Sequence, residues 1–286
     1  MTLIPGLSLL ADDYDALLCD VWGVLHNGRT AYPGVADALA RFRAKGGHVL
    51  LLSNAPRPSS QLPAMFRQMG IPEDVYDGIL TSGDATKSCL ASHEHGTRCF
   101  HIGPERDQPL FEGTGVSCVE EAEAEFILTT GPFNDDVEGP EDYREIFERL
   151  TARGLTLVCA NPDIVVERGD RLIYCAGALA KLYAELGGKV IYFGKPHGPI
   201  YRIGRQLLTG FAGSAIPDNR ILAVGDGPLT DIKGGNDAGI DALFVTGGIA
   251  AADCGLDPEK PEEDRVAHVL SRAGVRAVGA MPRLVW

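Results

Sequence analysis

Four polar positions, each directly after a short apolar run, carry residue types that could do chemistry together. They are Asp20, the pair Ser53 and Asn54, Lys195 and Asp226. In this order they supply a carboxylate nucleophile, a hydroxyl donor, a cation and a metal ligand. Each one alone is typical of a turn or a helix cap, because Asp, Ser and Asn often follow strands for that purpose. Joint chemistry requires that the strands before them be neighbours in one sheet.

The elements that could position these residues are short apolar runs separated by amphipathic stretches. The apolar runs cover residues 14–19, 48–52, 77–80, 126–128, 155–159, 190–193, 221–224 and 242–245. Two helical faces are formed by Val35, Ala38, Leu39 and Phe42, and by Tyr143, Ile146, Phe147 and Leu150. The alternation predicts an α/β fold with a Rossmann-like parallel sheet flanked by helices. In such a sheet, ligands bind at the carboxyl ends of the strands.

The spacing of the polar positions predicts an inserted domain. The interval from Asp20 to Ser53 is about the length of one strand–helix–strand unit. The interval from Ser53 to Lys195 is several times longer and carries strand and helix patterns of its own. We therefore expect a discontinuous core domain, 1–83 with 189–286, and an inserted α/β domain at 84–188.

The overall composition restricts the class of partner. The 286 residues include 26 basic and 39 acidic side chains, a formal net charge of −13, and are 45% hydrophobic. A chain of this composition is predicted to be globular, and its acidity disfavours nucleic acid and anionic membranes as partners. A small anionic ligand would need local positive charge from a metal, a lysine or helix N-termini.

The cysteines and the N-terminal sequence bear on location. Seven cysteines, at positions 19, 89, 99, 118, 159, 175 and 254, form no cluster with zinc-site spacing. Their odd number and scatter predict reduced thiols in a cytoplasmic protein. We expect neither a signal peptide nor a membrane span, because no suitable apolar run is visible. The assembly state stays open, and a homo-oligomer is compatible with the sequence.

Four segments resemble, in order, the four motifs of the haloacid dehalogenase (HAD) superfamily. They are residues 20–24 (DVWGV), 53–54 (SN), 194–196 (GKP) and 225–231 (GDGPLTD). The insertion between the second and third segments resembles the cap domain of class IIA. That branch holds NagD-like, pyridoxal phosphate, phosphoglycolate and para-nitrophenyl phosphate phosphatases. Residues 160–163 (ANPD) and the helix start at 176–179 also look like its cap-to-core segment, so the resemblance covers nearly the whole chain.

The resemblance implies a Mg²⁺-dependent hydrolase, in the first instance a phosphatase of small phosphorylated metabolites whose cap selects the substrate. Asp20 would attack phosphorus and form an aspartyl-phosphate intermediate. Mg²⁺ prefers hard oxygen ligands in octahedral geometry. The implied ligands are Asp20, Asp226, the backbone carbonyl of Trp22, and Asp231 either directly or through another ligand.

The implied phosphate-binding residues are Ser53, Asn54 and Lys195. The Ser53 hydroxyl and the backbone amides around Asn54 would donate hydrogen bonds, and Lys195 would act in catalysis by neutralising the phosphate. Simpler interpretations stay open for some of these positions. Lys195 can be a solvated loop residue, Asp231 can cap the next helix, and His197 near the third motif can be structural.

One position departs from the family pattern. Most HAD phosphatases carry a second aspartate two residues after the nucleophile, where this chain has Trp22. An indole donates a hydrogen bond but is neither acid nor base near neutral pH. Three explanations stay open: a good leaving group, such as an aryl or acyl phosphate; a proton from His26 or a cap side chain; or a low-activity protein that binds a phospho-ligand for a regulatory purpose. Cleavage of a phosphonate or a halide also stays open, since those branches lack this aspartate.

Overall fold

The computed structural model describes residues 2–168 and 171–286. The chain divides into two compact units. The first comprises Met1–Ser53, Leu62–Leu80 and Tyr201–Trp286, and the second comprises Asn54–Gln61 and Thr81–Ile200. The predicted insertion at 84–188 lies inside the second unit. In the described ranges, no helix is both long and apolar enough to cross a membrane.

Strands and helices alternate along most of the chain. The strands are β1 (Ala16–Asp20), β2 (His48–Ser53), β3 (Gly78–Thr81), β4 (Arg98–Ile102), β5 (Ser117–Cys118), β6 (Phe126–Thr129), β7 (Thr156–Cys159), β8 (Val165–Arg168), β9 (Arg171–Tyr174), β10 (Lys189–Tyr192), β11 (Ile221–Gly225), β12 (Asp241–Val245) and β13 (Gly279–Met281). The helices are α1 (Val35–Ala44), α2 (Leu62–Gln68), α3 (Ser82–Ser92), α4 (Arg144–Ala152), α5 (Ala176–Glu185), α6 (Gly198–Ala212), α7 (Lys233–Asp237), α8 (Ala251–Cys254) and α9 (Glu263–Ala273). This order confirms the predicted α/β class.

The first unit is built on a sheet with the strand order β13-β12-β11-β1-β2-β3. The pairs β1-β2, β1-β11, β11-β12 and β12-β13 are parallel. Every residue of the central strands β1 and β11 is buried. Near-continuous apolar strands of this kind are typical of parallel sheets covered on both faces. Because Leu18 pairs with both Leu50 and Ala223, the carboxyl ends of these three strands lie at one edge of the sheet.

Helix α1 packs on this sheet through the predicted face. Its apolar residues Val35, Ala38, Leu39 and Phe42 are all buried in the same core as β1 and β2. Burying one large aliphatic or aromatic side chain stabilises a fold by about 1.5–3 kcal/mol, so this face stabilises the packing of α1 on the sheet. Cys19 also belongs to this core. Since neighbouring residues on a strand point to opposite faces, Cys19 anchors β1 and directs Asp20 the other way.

The second unit has its own parallel sheet, in the order β10-β7-β6-β4-β5, and a separate antiparallel hairpin, β8-β9. The predicted apolar face at 143–150 is confirmed in large part. Tyr143, Phe147 and Leu150 are buried against α5, and Ile146 is partly buried on the same core. Helix α4 itself begins one residue later than this face.

Each predicted apolar run overlaps a strand. The boundaries shift by one or two residues; for instance, β1 begins at Ala16 and β11 extends to Gly225. Strands β4, β5, β8, β9 and β13 were not predicted.

Candidate active site

Three of the predicted site residues come together in the first unit. Asp20, Asp226 and Asp231 are buried, and one carboxylate oxygen from each lies within 4.8 Å of the others. Asp20 ends β1, and Asp226 follows the last residue of β11. The two strands are parallel neighbours in which Cys19 pairs with Val224. The register therefore brings both carboxylates to the same edge of the sheet.

Backbone amides fix the orientation of these carboxylates. Val21 N–H donates to Asp20 Oδ1 at 2.7 Å, and Ile249 N–H donates to Asp226 Oδ2 at 2.6 Å. A carboxylate held by an amide loses little rotational freedom when it binds a ligand, which favours a preformed site.

Two glycines allow backbone to approach Asp226 closely. Gly23 has φ +86°, and a Cβ built on it would lie 1.9 Å from Asp226 Oδ2. A Cβ on Gly248 would lie at the same distance from that oxygen. Any larger residue at either position would displace the carboxylate or the loop. The loop after β1 and the loop after β12 therefore both close around Asp226.

Asp231 lies on a π-helical turn, Pro228–Ile232, between β11 and α7. Its Oδ2 accepts hydrogen bonds from Gly227 N–H at 3.0 Å and from the Thr230 hydroxyl at 3.2 Å. Helix α7 begins without a side-chain cap bond among the described residues. The Asp231 carboxylate thus closes the turn that leads into α7, as a capping group does, and also belongs to the acidic cluster.

The chemistry of this cluster fits a divalent cation. Two unit negative charges 4.8 Å apart repel by about 3 kcal/mol at an effective dielectric constant of roughly 20. Three buried carboxylates at this separation therefore disfavour one another unless positive charge offsets them. Oxygen ligands of this kind suit Mg²⁺ and Ca²⁺ better than softer metals.

Ser53 ends β2, the other neighbour of β1. The preceding residue, Leu52, pairs with Asp20, so Ser53 lies one residue further than Asp20 toward the carboxyl edge of the sheet. It is buried, with a relative exposure of 6%. This position at the carboxyl end of the strand agrees with where the sequence placed it.

Asn54 and Lys195 contact each other in the second unit. Asn54 Oδ1 accepts from Lys195 N–H at 2.7 Å, and Asn54 Nδ2 donates to the Lys195 carbonyl at 3.1 Å. The same Nδ2 donates to Asp163 Oδ1 at 2.8 Å. Gly194 has φ +133°, and a Cβ there would lie 2.7 Å from Asn54 Oδ1. The Asn54 side chain thus holds the Lys195 backbone.

Trp22 is exposed, and its ring lies on His26 in an edge-to-face contact with centroids 5.3 Å apart. His26 is fully buried, and its Nδ1 accepts from Gly28 N–H at 3.0 Å. Its Nε2 has no hydrogen-bond partner in the part of the chain that the structure describes. Burial lowers the pKa of His26 to about 4. At neutral pH this imidazole is uncharged, and its remaining N–H is too weakly acidic to protonate a leaving group, which argues against His26 as the missing acid.

His197 is held by aromatic stacking. Its ring lies parallel to that of Tyr192, with centroids 4.6 Å apart and an interplanar angle of 7°. This contact favours the structural interpretation of His197.

Two groups at the site were missed from the sequence. Asp163 received no role, although it lies in the 160–163 segment that resembled the family's cap-to-core connection. The Ile249 amide was also missed. Ligands bind at the carboxyl ends of parallel strands, so the loop after β12, which contains Gly247 and Gly248, could have been expected to contribute.

Comparison with known proteins agrees with the fold. Residues 17–117 match the family model of the haloacid dehalogenase-like hydrolases, and residues 192–273 match the model described as HAD-hydrolase-like. A crystal structure of a haloacid dehalogenase-like hydrolase from Brucella suis 1330 is 44% identical. That similarity covers 99% of this chain and 100% of the other, with a TM-score of 0.87.

Two curated relatives carry named activities. Ribonucleotide monophosphatase NagD of Escherichia coli K12 is 27% identical over 83% of this chain and 89% of its own. Acid sugar phosphatase of Staphylococcus aureus USA300 is 24% identical over 84% of this chain and 89% of its own.

The fold is an α/β protein with three buried aspartates at the carboxyl ends of a parallel sheet, and the matches identify it as a hydrolase. The chain belongs to the haloacid dehalogenase-like hydrolases, in the NagD-like branch of class IIA.

Proposed function

We propose that the protein is a Mg²⁺-dependent phosphatase of small phosphorylated metabolites, with Asp20 as the nucleophile. The observation that carries the proposal is the cluster of three buried carboxylates at the ends of β1 and β11. The named activities of the E. coli and S. aureus relatives belong to the same reaction class.

In the proposed reaction, a carboxylate oxygen of Asp20 attacks phosphorus, and the leaving oxygen departs as an anion with the electrons of the broken P–O bond. The phosphoryl group remains on Asp20 as an acyl phosphate. Water then attacks the same phosphorus, which releases phosphate and restores the Asp20 carboxylate. The hydrogen bond from Val21 N–H supports this role, because it fixes the direction of the carboxylate.

We propose Mg²⁺ as the divalent ion. Its ligands would be Asp20, Asp226, the backbone carbonyl of Trp22, and Asp231 either directly or through water. When bound, the ion would offset the negative charge that the carboxylates and the phosphate bring together. The octahedral preference of Mg²⁺ leaves positions for water and for a phosphate oxygen.

The phosphate would be bound by Ser53 Oγ, the backbone N–H of Asn54 and the Lys195 ammonium, each of which can donate hydrogen bonds to its oxygens. We further propose that 1–83 and 189–286 form the catalytic core and that 84–188 forms the cap that selects the substrate.

The presence of Trp22 favours substrates whose leaving groups are stable as anions. Neither Trp22 nor His26 can supply a proton at neutral pH. Aryl and acyl phosphates leave as weakly basic anions and therefore need less protonation. The same observation favours a second candidate, a phospho-ligand-binding or regulatory protein with little turnover. Cleavage of a phosphonate or a halide also needs no such proton donor, but hard-oxygen metal ligands suit a phosphate better.

We propose that the protein is cytoplasmic. All seven cysteines are thiols rather than disulfides, which suits a reducing compartment.

Turnover of para-nitrophenyl phosphate, with and without Mg²⁺, tests the proposal. Asp20→Asn should abolish turnover while the protein stays folded. Asp13→Asn is a matched control, because Asp13 is exposed and lies before the N-terminal end of β1, whereas Asp20 lies at its carboxyl end. Phosphate and Mg²⁺ binding without turnover of any ester would favour the second candidate.

A further inference from the structure

Two cysteines of the second unit are direct partners across a pair of parallel strands. Cys99 lies on β4 and Cys118 on the edge strand β5, and the two are in register. Neighbouring strands lie about 4.8 Å apart, and partners in a parallel register project from the same face. Disulfides span Cα separations of roughly 4.4–6.8 Å, so this register permits a bond.

The two thiols differ in access and in acidity. Cys99 is buried in a core cluster, whereas Cys118 is exposed. The neighbouring Cys118 thiol and burial raise the pKa of Cys99, whereas the neighbouring Cys99 thiol lowers the pKa of Cys118. Cys118 also lies near a polar side chain, with Sγ 3.9 Å from Gln108 Oε1. The exposed member is therefore the stronger nucleophile, and the buried member is positioned to react second.

The other cysteines lack this combination. Cys89 is partly exposed, but burial raises its pKa to about 11. Cys19, Cys159, Cys175 and Cys254 are all buried. Burial raises the pKa of Cys159 to about 12 and that of Cys254 to about 11, and it also raises the pKa of Cys175. Thiols of this kind are mostly protonated and react slowly with oxidants.

We propose that Cys99 and Cys118 are a redox-modification site that forms a reversible disulfide when the protein meets a peroxide. The Cys118 thiolate attacks the peroxide and becomes a sulfenic acid, and hydroxide leaves. The Cys99 thiol then displaces the sulfenic oxygen as water, with the proton from Cys99. In total, two thiols and one hydrogen peroxide give one disulfide and two waters. A small dithiol then reduces the disulfide back to the two thiols and is itself oxidised.

The disulfide would fasten β5, a strand of two residues at the sheet edge, to the buried strand β4. It would also close the loop that contains the helical turn Glu105–Phe111. Closing a loop restricts the unfolded chain, so the oxidised protein should unfold at a higher denaturant concentration than the reduced protein.

The test is stoichiometric oxidation of the full-length protein by hydrogen peroxide, followed by alkylation and peptide mapping. We expect a peptide that links Cys99 to Cys118, lost after treatment with dithiothreitol. Cys118→Ser should abolish the link, and the matched variant Cys89→Ser should retain it. In Cys99→Ser, Cys118 should instead accumulate as a sulfenic acid that dimedone labels.

Oxidation of Cys89 ahead of Cys118 in the native protein would overturn the proposal. So would the absence of the linked peptide when Cys118 is already oxidised. If Cys99→Ser does not fold, Cys118→Ser at the exposed position still decides the matter. None of these measurements depends on turnover, so their outcome is independent of the proposed phosphatase activity.

Discussion

Replacing Asn54 with alanine would remove the side chain that joins three segments of the second unit. The Lys195 N–H loses its acceptor, and the Lys195 carbonyl and Asp163 carboxylate lose a donor. Asn54 and Lys195 are 5% and 3% exposed, so water replaces these partners poorly. Leaving a buried polar group unsatisfied costs about 1–3 kcal/mol, and a bond to a charged group is worth about 1.5–3 kcal/mol. We expect Asn54→Ala to lower the free energy of unfolding by about 3–5 kcal/mol.

Urea unfolding of Asn54→Ala provides the measurement, together with kcat/KM on an aryl phosphate under conditions where the variant is folded. The matched control is Asn236→Ala. Asn236 makes the same two bonds to backbone, with Arg276 N–H at 2.7 Å and the Arg276 carbonyl at 2.9 Å, but these are exposed. We expect a smaller loss of stability there and unchanged kcat/KM. Equal losses of stability in the two variants, or full activity in Asn54→Ala, would refute this account of Lys195.

Three further predictions concern the acidic cluster and the loop after β1. Asp226→Ala should weaken Mg²⁺ binding strongly and Asp231→Ala less, measured by calorimetric titration; unchanged affinity in Asp226→Ala would contradict the metal site. Rates on a series of aryl and alkyl phosphates should fall steeply as the leaving-group pKa rises, and Trp22→Asp should flatten that slope, with a gain for alkyl phosphates of up to about 10²–10⁴-fold. Because the pKa of His26 is lowered to about 4, the folded state resists protonation, so stability present above pH ~6.5 should fall by about 3 kcal/mol as the pH drops to ~4. His26→Gln should lose that part of the pH dependence in urea titrations, and an unchanged profile would mean that His26 titrates normally.

The sequence was sufficient for the central strands of the first unit because these strands are continuous apolar runs. β1 and β11 are buried throughout; β1 ends at Asp20, and Asp226 directly follows β11. Strand β4 was missed because its sequence, RCFHI, mixes charged and apolar residues, as suits a strand near the sheet edge. The hairpin β8-β9 was missed because its apolar residues are partly exposed and form no run typical of a core.

Contacts between distant segments could not be predicted. The place of Asn54 after a strand predicts that the backbone amides around it bind phosphate, but it does not indicate that its side chain contacts Asp163 and Lys195, more than 100 positions away in each case. The position of the Asp231 carboxylate could be described only from the π-helical turn, because in the sequence a Thr-Asp pair before a helix is equally typical of a cap. The partnership of Cys99 and Cys118 depends on strand register, which the sequence of a two-residue strand does not specify.

The central claim is that Asp20 carries the phosphoryl group during turnover. The direct test is to stop the reaction with an aryl phosphate and Mg²⁺ within one turnover, reduce with borohydride, and map the peptides by mass spectrometry. Borohydride converts an aspartyl phosphate to homoserine, so we predict homoserine at position 20 in the wild type and in Asp13→Asn. Turnover at full rate with Asp20 unmodified, and the same product at a different carboxylate, would contradict the assignment.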